Sequence, residues 1–301
     1  MLRKLIVAAA LALCVAPAAY AAGEPKHPEA LDWSFKGPFG QFDRAALQRG
    51  YQVYREVCAS CHAMTQLHYR NLGEKGGPFE AVTRRNHETG EEEIALGAAG
   101  EGGKMINPND NPFVKAIALD YEVEEIDTQT GDIVARKARP SDKFPSPFKN
   151  DYAAAASNGG AAPPDLSVIT KARRGGADYI HAILVGYEEA PAGLEVPAGK
   201  HYNPYMHGDL SGFWTGDPAH VPEGGFIAMP PPLTPDRVTY ADGTPATVDQ
   251  MSRDVATYLA WAAEPKLEQR NAIGFQVMIF LVLILVLTFL AYRQVWKDVK
   301  H

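Results

Sequence analysis

Two cysteines and a histidine lie close together in the first quarter of the 301-residue chain. Cys58, Cys61 and His62 form the pattern Cys-x-x-Cys-His, which is typical of covalent haem c attachment. On one helical turn each thiol can add to a haem vinyl group, and the adjacent His62 then meets the iron from the same side. By chance the pattern would arise in roughly one such sequence in a thousand. The sequence therefore predicts one covalently attached haem c.

Two other interpretations of the cysteine pair are weaker. A thioredoxin-like redox pair requires a βαβ context, and the sequence around the pair shows none. A zinc site requires a second pair of ligands, yet the third cysteine of the chain, Cys14, falls in an N-terminal segment that we expect to be removed.

The ligand on the other face of the haem is expected to be a methionine, because a thioether stabilises ferrous iron. Position in the sequence sets aside Met1, Met64, Met251 and Met278, which leaves three candidates: Met105, Met206 and Met229. Met229 precedes three prolines, which form a stiff extended loop able to present a side chain. Met206 is the second choice, and His201 or His207 would instead give a bis-histidine site.

Three elements are expected to position these residues. Asp43 is a candidate N-cap for a helix over residues 44–54 that leads into the haem motif, and a second helix is expected over 248–263. Leu47, Tyr51 and Tyr54 recur at helical spacing and would pack against the core or the haem. Residues 121–127 and 132–136 flank a Thr-Gln-Thr-Gly turn and predict a β-hairpin.

The N-terminus has the pattern of a secretory signal peptide. Two basic residues, a short apolar run and the Ala19-Tyr20-Ala21 site predict a signal peptide over residues 1–21. An uncleaved anchor is the alternative, although the apolar run is short for a membrane span. Cleavage would change the net charge from −7 to −9, since Arg3 and Lys4 would be lost.

The C-terminal region has the pattern of a transmembrane helix. Residues 272–292 contain no Asp, Glu, Lys, Arg or His, which is enough to cross a bilayer. The basic tail at 293–301 fits the cytoplasmic side. We therefore expect a periplasmic haem c domain over residues 22–265 that is anchored in the inner membrane by a single C-terminal span.

Composition narrows the class of partner. The chain has 36 Asp and Glu against 29 Lys and Arg, so it lacks the basic surface that nucleic-acid binding needs. Exposed acids would instead attract a basic protein partner. They form three clusters, at residues 91–93, 122–125 and 188–189. A solvated surface is the simpler explanation for any single cluster. The 27 glycines and 23 prolines of the chain indicate a loop-rich domain.

Taken together, these motifs resemble the cytochrome c1 family, the haem c subunits of quinol–cytochrome c reductase (cytochrome bc1) complexes. The matching blocks follow the family order and cover most of the chain: 37–43 (GPFGQFD), 49–54 (RGYQVY), 58–62 (CASCH), 158–167 (NGGAAPPDLS), 172–180 (ARRGGADYI), 184–187 (LVGY), 202–204 (YNP), 228–231 (AMPP), 242–247 (DGTPAT) and 261–265 (WAAEP). Residues 73–150 match poorly, and the extra cysteine pair of some bacterial relatives is absent from this sequence.

The resemblance implies a set of residue roles. His62 and Met229 would be the axial ligands, and Cys58 and Cys61 the thioether anchors. It also suggests that Arg173 lies near a haem propionate and that Tyr179 and Pro164 line the pocket. The implied fold is mainly α, a class I cytochrome c-like domain with long loops and a small β-hairpin, followed by one transmembrane helix.

The resemblance also implies partners. Electrons would pass from a Rieske iron–sulfur protein through this haem to a soluble or membrane-bound cytochrome c, inside a dimeric complex with cytochrome b. No substrate chemistry would take place on this chain by itself. Two other functions are a haem subunit of a terminal oxidase and a peroxidase-like haem enzyme. An N-terminal anchor or a second haem motif would favour the first, and an open iron position the second.

Overall fold

The computed structural model describes residues 24–86, 89–97 and 103–298. The predicted signal peptide and the last three residues of the predicted tail therefore lie outside the described residues. The chain divides into two compact units. The larger comprises Pro28–Val185 and Pro231–His301, and the smaller comprises Met1–His27 and Gly186–Pro230.

Two packed helices form the centre of the larger unit. Helix α1 (Arg44–Val53) begins at Asp43, whose carboxylate accepts hydrogen bonds from the first-turn amides. The second is the helix at Val248–Ala263. Gly50 lets α1 approach it closely, since a Cβ at Gly50 would lie 2.1 Å from the Asp254 carbonyl oxygen. Leu47, Tyr51 and Tyr54 are buried, which agrees with core packing. The helix predicted over 44–54 is confirmed, except that its last residue begins a π-helical turn, Tyr54–Cys58.

The region that matched the family poorly contains two small sheets. The 3₁₀ turn Tyr69–Gly73 precedes a three-stranded antiparallel sheet in the order β2-β1-β3, and helix α2 (Pro112–Leu119) follows it. Its strands are β1 (Ala81–Arg85), β2 (Glu92–Leu96) and β3 (Lys104–Met105). Next comes the hairpin β4 (Glu122–Ile126) and β5 (Ile133–Lys137). The structure confirms the predicted hairpin, whereas the sequence did not reveal the sheet or α2.

Three short helices come next in the larger unit: α3 (Asp151–Ser157), α4 (Ile169–Ala172) and α5 (Gly176–Val185). The N-terminal segment is fastened to α5 by Asp178, which accepts hydrogen bonds from the Leu31 amide at 3.0 Å and from the Trp33 indole. Lys36 pairs with the same carboxylate. Helix α6 (Val248–Ala263) follows, capped by Thr247, with the bounds predicted from the sequence.

The smaller unit has little regular structure. Its strands β6 (His201–Asn203) and β7 (Gly225–Ile227) pair antiparallel, and the 3₁₀ turns Ser211–Phe213 and Pro218–His220 lie between them. Leu194, Tyr202 and Leu210 form a separate small core.

The last helix, α7 (Leu267–Trp296), packs its first turn against the rest of the larger unit, and from residue 272 onward it is exposed and apolar around its circumference up to residue 292. Among the described residues it is the one helix long and apolar enough to cross a membrane, and an 18-residue stretch of it has a mean hydropathy of 2.8. It includes the span predicted at 272–292 and suggests a membrane-anchored protein. The fold is thus helical with small sheets, and its class I cytochrome c topology stays a prediction.

Candidate haem site

The haem motif forms a single tight turn at the end of the π-helical segment. The Tyr54 carbonyl accepts a hydrogen bond from the Ala59 amide at 2.8 Å, five residues on. The Cys58 carbonyl accepts from the Cys61 amide at 3.1 Å and from the His62 amide at 2.9 Å. This turn brings both thiols and the imidazole to one place. A π-helical turn inside a helix is frequent at functional sites, and this one was not predicted from the residue pattern.

The electrostatics of the thiols argue against a redox pair. Cys58 and Cys61 are free, with no disulfide between them. Burial raises the pKa of the Cys58 thiol to about 12, and the neighbouring Cys61 adds to the increase. Reactive redox cysteines have lowered pKa values. Burial of Cys58 thus disfavours the thiolate that thiol–disulfide exchange requires.

His62 is held in one tautomer by the backbone. Its Nδ1 lies 2.8 Å from the Pro164 carbonyl oxygen, and since a carbonyl only accepts, Nδ1 must donate the hydrogen. The Nε2 lone pair is then available for a metal ion. Burial lowers the pKa of His62, against the opposing effects of the Pro164 hydrogen bond and the Asp165 charge. A neutral imidazole fixed through its other nitrogen is the form that binds iron.

Pro164 is itself fixed by the residues that follow it. Asp165 accepts hydrogen bonds from the Thr65 amide at 2.9 Å and the Thr65 hydroxyl at 2.7 Å, and from the Ser167 amide at 2.7 Å. The Leu166 amide donates to the Ala63 carbonyl at 2.8 Å. These contacts clamp the loop to the chain just after His62. No role was predicted for these residues, although an Asp side chain that accepts from the amide two residues on is a known turn-forming arrangement.

Tyr179 and Arg173 lie near each other in the same unit. Tyr179 is buried on α5, and Arg173 is exposed just before that helix. Burial raises the pKa of Tyr179, and the charge of Arg173 opposes the increase. Within the described part of the chain, no ion pair involves Arg173, whose guanidinium donates only to the Ala172 carbonyl, at 3.3 Å. Its charge is thus available to an anionic group.

Met229 belongs to the smaller unit and follows β7. Its side chain is half-buried, and its carbonyl accepts a hydrogen bond from the Tyr187 hydroxyl at 3.0 Å. Tyr187 was not predicted to have a role; it adds a tether to a loop that prolines already stiffen. Met229 therefore stays a prediction as the second axial ligand.

The alternative ligands remain on the protein surface or partly buried. Met206 and His201 are half-buried in the smaller unit, and His207 is exposed there; Met105 is exposed on β3 of the larger unit.

The residues present fit a haem c. The larger unit supplies two free thiols on one turn, a neutral imidazole with Nε2 available, and an arginine without a carboxylate partner among the described residues. The donor set lacks the acidic or additional histidine ligands of a metal cluster, since the described residues contain no group of three His, Cys, Asp or Glu able to hold a metal ion.

Sequence comparisons agree with this chemistry. The profile of the Cytochrome C1 family matches residues 33–299. The chain is 42% identical over 290 residues to the cytochrome b/c1 of Bradyrhizobium diazoefficiens, covering 90% of this chain but only 36% of that protein. It is 38% identical to the cytochrome c1 of Rhodospirillum rubrum, covering 100% of this chain and 99% of that protein. It is 37% identical over 286 residues to the mitochondrial cytochrome c1 haem protein of Saccharomyces cerevisiae, covering 95% and 77%.

Proposed function

The chain belongs to the cytochrome c1 family, and from that membership we propose that it is the haem c subunit of a quinol–cytochrome c reductase complex. Family membership implies a covalently bound haem c. The observation that carries the proposal is the haem motif itself: free thiols at Cys58 and Cys61 on the turn that ends at His62, with His62 held by Pro164. The proposed role is one-electron transfer within an electron transport chain.

The proposed site divides its tasks among few residues. Cys58 and Cys61 attach one haem c, which supplies an iron that changes oxidation state by one electron. His62, oriented by the Pro164 carbonyl, and Met229, on a loop tethered by Tyr187, would be the residues that hold the iron. A methionine opposite a histidine favours the ferrous state and raises the potential.

The remaining predicted residues surround the haem. Arg173 would pair with a propionate, since a guanidinium can bind a carboxylate through two hydrogen bonds. Tyr179 and Pro164 would form walls of the pocket.

The proposed partners follow from the family role. Electrons arrive from a Rieske iron–sulfur protein and leave to a cytochrome c, in a dimeric complex that contains cytochrome b. The relatives' names include cytochrome b/c1 and a cytochrome b-c1 complex subunit. No step of quinol oxidation is assigned to this chain.

Acidic charge supports a basic electron acceptor, although not equally at every cluster. Several acids of the sheets are already neutralised by neighbours, as in the pairs Arg84–Glu93 and Arg136–Glu125. Glu188 and Glu189 are exposed, and neither has an ion-pair partner among the described residues. Long-range attraction of this kind raises the rate of encounter and weakens with salt.

Helix α7 is proposed to anchor the protein in the inner membrane as a single-pass span. With a signal peptide at 1–21, the haem domain at 22–265 would lie in the periplasm and the tail at 293–301 in the cytoplasm, as the basic residues Arg293 and Lys297 favour. Anchoring would keep the haem close to membrane-bound electron donors and raise their effective concentration.

The test is to isolate the protein with its partners. Membranes are solubilised gently, and the protein is captured through a C-terminal tag. The eluate is assayed for b-type haem, for a [2Fe–2S] signal and for quinol-driven reduction of cytochrome c. All three are expected together. Haem c alone, or haem c with oxidase subunits, would contradict the assignment to this complex while leaving the haem site intact.

A further inference from the structure

One large aromatic side chain of the haem domain is exposed beside the start of α7. Phe39 is 72% exposed and lies in a turn at residues 37–40. Its ring contacts Phe275 of α7 edge-on, with the ring centres 5.6 Å apart. An isolated exposed aromatic needs no explanation, but contact with a membrane span does.

The turn that carries Phe39 is built to hold it outward. The Gly40 amide donates to the Gly37 carbonyl at 3.3 Å, and the Gln41 amide to the Ser34 carbonyl at 2.9 Å. Gly37 has φ +84°, a conformation that favours glycine. A Cβ at Gly40 would lie 2.3 Å from the Phe35 carbonyl oxygen. The turn is therefore tight, and its hydrogen-bonded backbone holds Phe39 in an exposed position.

The turn is also fastened to α7. Glu268, in the first turn of α7, accepts hydrogen bonds from the Phe42 amide at 2.8 Å and from Arg44 at 2.7 Å. Asn271 donates to the Gly37 carbonyl at 3.3 Å. Lys266, just before α7, forms an ion pair with the Glu74 carboxylate. These contacts fix the position of Phe39 along the axis of α7.

Phe39 contacts α7 near one end of its uncharged run. The uncharged run at 272–292 has 21 residues, which at about 1.5 Å per residue is about 31 Å, close to the ~30 Å hydrocarbon thickness of a bilayer. Phe275 lies three residues, or about 4.5 Å, inside the first end of this run. A ring packed on Phe275 therefore lies at the boundary between headgroups and acyl chains.

We propose that Phe39 inserts into the lipid bilayer surface and forms, with α7, a second contact of the haem domain with the membrane. The occupant of this surface is lipid rather than water or another protein chain. Aromatic side chains favour the membrane interface, and the ring gains an apolar environment without any movement of the domain. The inference requires only that α7 spans the membrane, and it is independent of the electron-transfer partners.

Spin labelling tests the inference on the haem-loaded chain in phosphatidylcholine nanodiscs, after removal of the signal peptide and of Cys14 with it. A nitroxide is attached at Phe39→Cys, and its collision rates with molecular oxygen and with nickel ethylenediaminediacetate are measured. Cys58 and Cys61 are consumed by haem attachment and do not compete for the label. Tyr152→Cys on α3, where the native side chain is 89% exposed, is the matched control, and an unchanged haem spectrum shows that each variant is folded.

The expected result is a ratio of oxygen to nickel collisions several times higher at position 39 than at position 152. Equal ratios would place Phe39 in water and overturn the proposal. Low collision rates with both reagents would place it against protein and would also overturn it.

A second measurement distinguishes lipid from a neighbouring subunit in native membranes. The photoreactive residue p-benzoylphenylalanine replaces Phe39 in the intact cells, and the membranes are irradiated. Lipid adducts on the peptide that contains position 39 are expected, with no shift of the protein to a higher mass on a gel. A cross-linked protein of defined mass would overturn the proposal.

Discussion

The Nδ1 atom of His62 lies 2.8 Å from the carbonyl oxygen of Pro164, a residue 102 positions further along the chain. Because the acceptor is a backbone atom, no side-chain substitution at Pro164 removes it. The orientation of His62 instead depends on the contacts that hold the loop, and these are mainly made by Asp165.

Substitution Asp165→Ala should loosen both the loop and the His62 ring. Burial alone would raise the pKa of Asp165, but hydrogen bonds from Ser167 and Thr65 outweigh it and hold that pKa below the usual value. Loss of these bonds should lower the free energy of unfolding by roughly 1–3 kcal/mol and shift the haem potential. Thermal unfolding and redox titration measure the two effects. Asp132→Ala, in the exposed hairpin turn, is the control. A loss of stability with an unchanged potential would show that the loop does not orient His62.

Substitution Met229→Lys should lower the haem potential. A lysine amine in place of the thioether no longer favours ferrous iron, and axial ligands set potentials over a range of about 0.8 V. Redox titration of the purified variant measures the change. Met206→Lys and Met105→Lys are the controls and should leave the potential near that of the unmodified protein. If the potential of the Met229 variant is also unchanged, Met229 is not the ligand.

Substitution Arg173→Gln should lower the potential by a smaller amount than the Met229 change. A positive charge near the haem disfavours the ferric state. One charge across ~10 Å at an effective dielectric constant of ~20 is worth about 1.7 kcal/mol, and about 2.3 kcal/mol corresponds to 100 mV, so a shift of about 70 mV is expected. Arg174→Gln removes an equal charge next to it and serves as the control. Equal shifts in both variants would argue against a propionate contact.

Substitution Arg49→Met should destabilise the packing of α1 on α6. Arg49 forms ion pairs with Asp254 at 2.9 Å and with Asp242 at 2.7 Å, and the Asp254 side chain is only 1% exposed. Leaving a buried charge without its partner typically costs about 3–5 kcal/mol. Denaturant unfolding measures the loss. Arg253→Met breaks the exposed pair with Asp249, where a change of about 0–1 kcal/mol is expected; a similar loss in both variants would refute the role of burial.

Substitution Asp178→Asn should weaken the attachment of the N-terminal segment in a pH-dependent manner. Burial acts to raise the pKa of Asp178, but hydrogen bonds from Leu31, Trp33 and Lys36 outweigh it, so the pKa is lowered. The carboxylate therefore stabilises the fold above its unfolded pKa of about 3.9, and this contribution is lost as the pH falls through the lower folded value.

At pH 7 the Asp178 variant should be less stable by roughly 1–3 kcal/mol, and its stability should approach that of the unmodified protein as the pH falls below the lowered folded-state pKa of Asp178. Unfolding measured across this range tests the sign. Asp151→Asn, an exposed carboxylate on α3, should not change the curve. A difference between Asp178→Asn and the unmodified protein that stays constant with pH would show that the charge is not responsible.

The sequence was most informative where local chemistry decides the structure. Asp43 and Thr247 are side-chain caps, so the starts of α1 and α6 could be located from residue types alone. The β4–β5 hairpin was visible because a turn sequence separates two short β-prone runs. The haem motif is likewise local, since its five residues form one turn.

Contacts between distant segments were not predictable in this way. Strand β1 continues into Thr83, Arg84 and Arg85, so its pattern does not alternate and gave no strand signal. The clamp of Asp165 on Thr65 joins positions 100 residues apart, and nothing in either segment specifies the other. The same holds for Glu268 in the first turn of α7, because nothing in its own segment specifies the contact with the Phe42 amide.

The π-helical turn at Tyr54–Cys58 gives α1 and the haem motif two different rotational phases. An α-helix turns the chain by about 100° per residue, so one inserted residue rotates everything after it by that angle while the preceding residues keep their alignment with α6. The turn thus lets the residues that pack in the core and the residues of the haem motif face different directions on one continuous helix. A deletion of Arg55 or Glu56, which are both exposed, would leave residues 44–54 aligned with α6, yet it would aim Cys58, Cys61 and His62 in a new direction and separate the imidazole from Pro164.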